Sequence, residues 1–274
     1  MNYGINILNR PIYFYLFLFI FDSLLKNYCI KELLIQNIMT TIKSRFITFG
    51  SHANYVDAGN RLVNQANQLN IFTECRLYRG EHLMHSEFWN QHSNFINHNR
   101  RGFGYWIWKS YIIKKNMEEM NDGDVLLYLD CGCELDEKCK KEMLKCIEIV
   151  KTDKIIGSPL KIQIEKDWCK MDLIEKMKMN KDNINTTQRQ GGVNLFLVCP
   201  ETRQLVNEWY ELCCDYHNID DSPSIIPNVH TFSEHRHDQS IFSLLTKKYN
   251  LYSNHIIDNA IYCNRNTSGV SRIK

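Results

Sequence analysis

Short unbroken apolar runs alternate along this chain with longer stretches in which apolar residues recur every three or four positions, a pattern that predicts strands interleaved with helices. The first run is residues 45–50, RFITFG, and a helix follows over 60–70, where Leu62, Val63, Ala66 and Leu69 share one face. Residues 72–78 read as a second strand, 81–97 as a polar, histidine-bearing helix, and 105–120 as an aromatic helix introduced by Gly102 and Gly104. Asn121, Asp122 and Gly123 turn the chain into a third apolar run that ends in Asp130. Beyond it the pattern gives a Lys/Glu-rich amphipathic helix over 135–150, a short strand over 154–158, a helix over 167–179 and a polar loop over 180–190. Gly191 and Gly192 open a strand over 193–198, and Pro200 starts a helix through Leu205, Val206, Trp209 and Leu212, since proline's missing donor is tolerated in a first turn. A loop over 218–231 leads to a last helix over 237–249. No repeat or interdomain linker interrupts this order, which predicts one α/β sandwich with a mostly parallel sheet.

Composition narrows the partners. With 44% hydrophobic residues over 274, the chain has material for one sizeable core, and a net charge of +2 argues against nucleic acid as a partner. The 11 cysteines follow no regular spacing, and Cys199, Cys213 and Cys214 sit in apolar segments where a free thiol packs as a small hydrophobe, the usage of a reducing compartment. The expected location is therefore cytoplasmic, host cytoplasm if the chain is viral. Residues 11–21, PIYFYLFLFIF, complicate this. Eleven apolar residues are too few for a membrane-spanning helix, which needs about 20, but Arg10 in front gives the charged-then-apolar order of a signal or anchor. Residues 1–38 are thus an N-terminal extension: an anchor giving membrane association, an extra helix, or translated upstream sequence ahead of Met39. The domain proper is 39–274.

Four polar clusters could carry chemistry. The third strand delivers Asp130 and, through Cys131-Gly132-Cys133, Glu134 to its carboxyl end, where open α/β sheets bind ligands. Oxygen ligands there suit Mg²⁺ or Mn²⁺ bridging two phosphates, with Glu134 orienting water, a hydroxyl or the metal's outer shell; capping of the next helix is the plainer alternative. Cys131 and Cys133 with His235 or His237 would be a zinc set, although their spacing is poor for one. Arg101 to Lys109, RGFGYWIWK, combines two glycines with a helix start and two cations, a place for a diphosphate, while Tyr105, Trp106 and Trp108 could simply be core. Gln188 to Gly192 could set amides and Gln190 against sugar hydroxyls. Glu234 to Gln239, EHRHDQ, crowds ionisable groups at a helix start, and Ser51-His52 follows the first strand.

In this order these blocks resemble those of small GT-A-fold glycosyltransferases (nucleotide-diphospho-sugar transferases) of bacteria and large DNA viruses, over residues 45–274. Tyr105, Trp106 and Lys109 match the aromatic-lysine block, with Ser110 where proline is usual. Asp130 matches the first Asp of the metal motif, whose second acidic position is Gly132 here. Gln190, Gly191 and Gly192 are similar to the mid-chain diglycine block, and His237-Asp238-Gln239 to a late Asp-Gln element. The resemblance implies a single Rossmann-like α/β/α sandwich that moves a hexose from a nucleotide-diphosphate sugar to a carbohydrate or glycan hydroxyl, with retention favoured. It implies Arg101, Tyr105, Trp106, Lys109, Gln190, Gly191, Gly192 and Gln239 at the donor, Mn²⁺ or Mg²⁺ at Asp130 and His237, and Asp238 or Glu134 as the catalytic carboxylate. Two rivals stand beside it. A nucleotidyl transferase would need a phosphate-binding glycine loop after the first strand, and Gly50-Ser-His-Ala53 is not one; a carbohydrate-binding protein would have kept the fold and lost the chemistry.

Overall fold

A computed structural model describes residues 43–273. A five-stranded sheet runs through them in the order β2-β1-β3-β5-β4, with β1 at Ser44–Gly50, β2 at Glu74–Arg79, β3 at Val125–Leu129, β4 at Ile155–Ile164 and β5 at Thr187–Leu197. β1 pairs parallel with β2 and β3, while β5 lies antiparallel between β3 and β4, so four strands share one direction and β5 opposes them.

Both faces of the sheet are covered, which is why the central strand β3 reads as a continuous apolar run rather than an alternating one. Along β3, Leu126 and Tyr128 point into one core, and Val125, Leu127 and Leu129 into the other. The first core is roofed by α2 (Glu87–His98), α3 (Ile107–Glu118), α5 (Pro200–Cys214) and α6 (His237–Lys248). The second is roofed by α1 (Ala53–Leu69), α4 (Lys140–Asp153) and the C-terminal segment through Ile257, Ala260 and Ile261. The α/β sandwich with a mostly parallel sheet expected from the pattern is the architecture found, in the α/β/α form that the resemblance implies.

The differences lie at polar punctuation. The histidine-bearing helix is broken after a turn at Gly80–Leu83, because Ser86 caps a new helix by accepting from the Trp89 amide (3.4 Å). The helix expected over 167–179 becomes two short ones, Glu165–Trp168 and Met171–Lys176. Between them the Lys170 ammonium is drawn away to His217 O, Asp220 and Ser222. β4 continues to Ile164, and β5 begins at Thr187, so the diglycine lies inside β5 rather than at its start.

The expected location needs correcting. Among the described residues no helix is long and apolar enough to cross a membrane, and residues 11–21, which were to supply the anchor, lie outside them, as does the whole 1–38 extension. Membrane anchoring therefore has no structural support.

Candidate active site

β2 and β3 flank β1, so the chain reverses its winding between β1 and β3; in α/β sheets the crevice beyond the strand ends at such a point receives ligands. Asp130 leaves β3 there. Its amide donates to Gly192 O across the sheet (2.8 Å), and the Tyr128 hydroxyl donates to its Oδ1 (2.5 Å). Its side chain is 46% exposed, the open carboxylate of the site.

Beneath it lies a charge cluster with almost no access to water. Lys109, on α3, is 3% exposed, as is Asp238, in the first turn of α6. The ammonium stands 3.5 Å from Asp130 Oδ1 and 3.2 Å from Asp238 Oδ2, above the rings of Tyr128 and Trp108 (5.6 and 5.9 Å). Burial works against the Lys109 charge, but the two carboxylates outweigh it and hold its pKa above the ordinary value. For Asp238, burial dominates, and with Asp130 nearby the carboxyl is pushed up to about 6 despite Lys109. Asp238 Oδ2 is buried with no hydrogen bond of good geometry.

The diglycine is explained by the space these carboxylates need. A Cβ on Gly192 would lie 2.1 Å from Asp130 Oδ2, and one on Gly191 would lie 3.2 Å from Gln239 Cα and 3.5 Å from Asp238 Oδ2. Gln239 anchors this edge: its Oε1 accepts from the Gly191 amide (3.3 Å) and its Nε2 donates to Gln188 Oε1 (2.9 Å). Gln190 turns the other way, donating to Ser158 Oγ (3.4 Å) on β4.

The aromatic wall has an unusual backbone. Gly102, Phe103, Gly104, Tyr105 and Trp106 all have positive φ, from 50° to 82°. The Tyr105 amide donates to Arg101 O (2.8 Å) and the Trp106 amide to Gly102 O (3.2 Å), so the segment is one turn of left-handed helix. The expected helix therefore starts at Ile107 instead of 105. Such a turn costs L-residues about 1–2 kcal/mol each, and strain of this kind gathers at functional sites. Its effect is to lay Tyr105 flat on the His237 imidazole (5.1 Å, 9°), with Trp106 against the same ring (5.2 Å). His237 also has positive φ, and it immediately precedes Asp238.

Arg101 and His237 meet on Asp221: Nη1 of Arg101 donates to both carboxylate oxygens (3.1 Å each), and His237 Nε2 lies 3.0 Å from Oδ1. Burial lowers the His237 pKa to about 4, so the imidazole is neutral near pH 7. With Nε2 committed to Asp221, His237 serves the aromatic wall and does not present that nitrogen to Asp130. Asp130 is the half-exposed carboxylate of the pair, the one with an oxygen open to a hard cation. The second carboxylate, Asp238, already has Lys109 as its cation.

Glu134 is corrected as a catalytic candidate. It is fully buried, and its oxygens accept from Asn264 (2.9 Å), Asn266 (3.0 Å), Ser271 (2.6 Å) and the Arg272 amide (3.0 Å), with Arg61 at 3.4 Å. These partners outweigh burial and lower its pKa to about 2. Glu134 pins the C-terminal segment rather than facing the crevice. The zinc alternative does not assemble either: His235 Nδ1 accepts from the Lys170 amide (3.2 Å) and Nε2 lies 2.8 Å from Asn218 O. Ser51 and His52, bonded to each other (2.9 Å), follow β1 on the exposed rim.

Sequence reasoning missed Tyr128 and Asp221. Tyr128 carried a signal, standing two residues before Asp130 and so on the same strand face. Asp221 lies in an aperiodic polar loop that gave none.

No family model matches the chain, and no curated protein matches it. Among solved structures, apo mouse xyloside xylosyltransferase 1 is similar over 78% of this chain and 85% of its own, at 11% identity and a TM-score of 0.42. A likeness that distant adds nothing to what the sheet order and the site geometry show directly.

Proposed function

We propose that this protein is a glycosyltransferase that takes a nucleotide-diphosphate sugar and transfers its glycosyl group to a carbohydrate hydroxyl. The observation that carries this reading is the half-exposed Asp130 carboxylate at the switch point of the sheet, backed by the buried Lys109–Asp238 pair. The blocks that resemble glycosyltransferases along the sequence are the ones that converge here: the Tyr105–Lys109 segment, Asp130, the diglycine and His237–Gln239.

In this reading the donor diphosphate lies across the strand ends. Mn²⁺ or Mg²⁺ held by Asp130 and the phosphates would supply charge stabilisation for the leaving group. Tyr128 fixes the Asp130 rotamer through its hydroxyl, and Lys109 fixes it through charge. Tyr105, Trp106 and Arg101 stand on the α6 side of the site, and the β5 backbone at Gly191 and Gly192 lies against Gln239 and Asp130. Asp238, paired with Lys109 and next to Gln239 at the diglycine edge, is the carboxylate this reading puts on the sugar side of the reaction. We assign retention of configuration on the sequence resemblance.

The test is turnover of a panel of UDP-, GDP- and dTDP-sugars by the full chain, with and without Mn²⁺. Release of one nucleotide, abolished in Asp130→Asn with the fold intact, is the expected result. A folded wild type that binds sugars but turns over none of the donors would favour the carbohydrate-binding alternative.

A further inference from the structure

A second cluster lies on the sheet face covered by α1 and α4, outside the active site. Glu142 and Cys146 stand one turn apart on α4 and so share one side of it. The C-terminal segment returns across that side: the Ser253 amide donates to Ile155 O (2.9 Å), Ile256 bridges to Gly157, and His255 is carried between them. A carboxylate oxygen of Glu142, Sγ of Cys146 and a ring nitrogen of His255 all lie within 4.8 Å of one another. Cys146 is fully buried. His255 Nε2 lies 3.2 Å from Glu142 Oε1 yet is shielded from solvent and makes no hydrogen bond. A shielded ring nitrogen that faces a thiol and a carboxylate without forming a hydrogen bond of good geometry is a polar group left unsatisfied, and a metal ion would satisfy it.

We propose that Glu142, Cys146 and His255 bind a divalent transition metal of the zinc class, with solvent completing a four-coordinate shell. Thiolate, imidazole and carboxylate together suit zinc, whereas Mg²⁺ and Ca²⁺ prefer oxygen alone. Two ligands from one helical turn and a third from a distant segment would let the ion fasten the C-terminal segment to α4. That segment also brings Asp258 against Ser158, which holds Gln190 beside the diglycine. The ion would thus hold the C-terminal segment against α4, and it is separate from any cation that Asp130 holds.

The test uses the metal-free full chain titrated with Zn²⁺ and with Co²⁺. One equivalent of tight binding is expected, with a thiolate-to-cobalt charge-transfer band that Zn²⁺ bleaches. Cys146→Ser should remove the band. His255→Asn and Glu142→Gln should each weaken zinc binding at least ~10-fold, since even the loss of an outer-shell partner costs 10–100-fold. If Cys146→Ser does not fold, the two other variants decide. Cobalt bound without a thiolate band, a band that survives in Cys146→Ser, or unchanged affinity in His255→Asn would each overturn the proposal.

Discussion

Replacing Lys109 by methionine keeps most of the side-chain volume and removes the charge that holds two carboxylates together. The ammonium is 3.2 Å from Asp238 Oδ2 and 3.5 Å from Asp130 Oδ1. At an effective dielectric constant of ~20, each contact is an attraction of about 5 kcal/mol before desolvation is charged against it. Desolvation of a fully buried ammonium removes much of that sum, and breaking buried pairs by deleting one partner costs about 3–5 kcal/mol. A limit comes from Asp238 itself: with its pKa already raised to about 6 by burial, it can take up a proton once the lysine is gone. The expected loss for Lys109→Met is therefore about 3 kcal/mol at pH 7, read as a shift of the urea midpoint at constant slope. The second half of the test is Asp238→Asn in the Lys109→Met background. It removes the carboxyl that must otherwise take up a proton far above its unfolded pKa, so it should recover part of the stability, with a coupling energy of at least ~1 kcal/mol in the double-mutant cycle. A Lys109→Met midpoint within error of wild type, or additive effects in the cycle, would refute the view that this cluster is held by charge.

Gly192→Ala sets a methyl 2.1 Å from Asp130 Oδ2, so turnover should fall at least ~100-fold while circular dichroism stays native, a loss comparable to that from misplacing a reacting group by about 1 Å. Gly104→Ala combines a φ of 82° with a contact of 2.6 Å to the Ile96 side chain, and should lower stability by about 2 kcal/mol in the same denaturation assay. Glu134 has a folded pKa of about 2, below its ordinary 4.5. Its stabilisation, about 3 kcal/mol, is thus complete above pH 4.5 and lost as the pH falls through about 2. Urea midpoints measured between pH 5 and pH 2 should fall steeply in wild type. In Glu134→Gln they should start lower and fall less; parallel curves would show that the carboxylate is not what the C-terminal segment depends on.

The fold was legible because burial on both faces writes itself into composition. β3 is apolar at every position since Val125, Leu127 and Leu129 meet one core and Leu126 and Tyr128 the other, which is the pattern of a central strand buried on both faces. The same logic located Asp130, whose polarity after five buried residues marks where the sheet stops. What periodicity could not show was the sense of the backbone. Residues 102–106 have the composition of a helix start, and only the two glycines hint at the left-handed turn that swings Tyr105 and Trp106 onto His237. Glu134 failed for a related reason. Four residues past Asp130 it has equal claim to the crevice in sequence, but the partners that bury it come from 264–272, a separation no local pattern encodes.

The diglycine links the legible and illegible parts of the site. Read alone, Gly191-Gly192 is a turn. In the structure it lies in mid-strand, where glycine ordinarily weakens pairing because it brings no side chain to pack. That weakness is tolerated because the volume normally filled by two Cβ groups holds the Asp130 carboxylate and the edge of Asp238 and Gln239. The pairing lost in β5 thus makes room for two acids around one lysine at the end of β3. Larger side chains at 191 and 192 would pack the sheet better, but would leave Asp130 no place beside β5 within reach of Lys109.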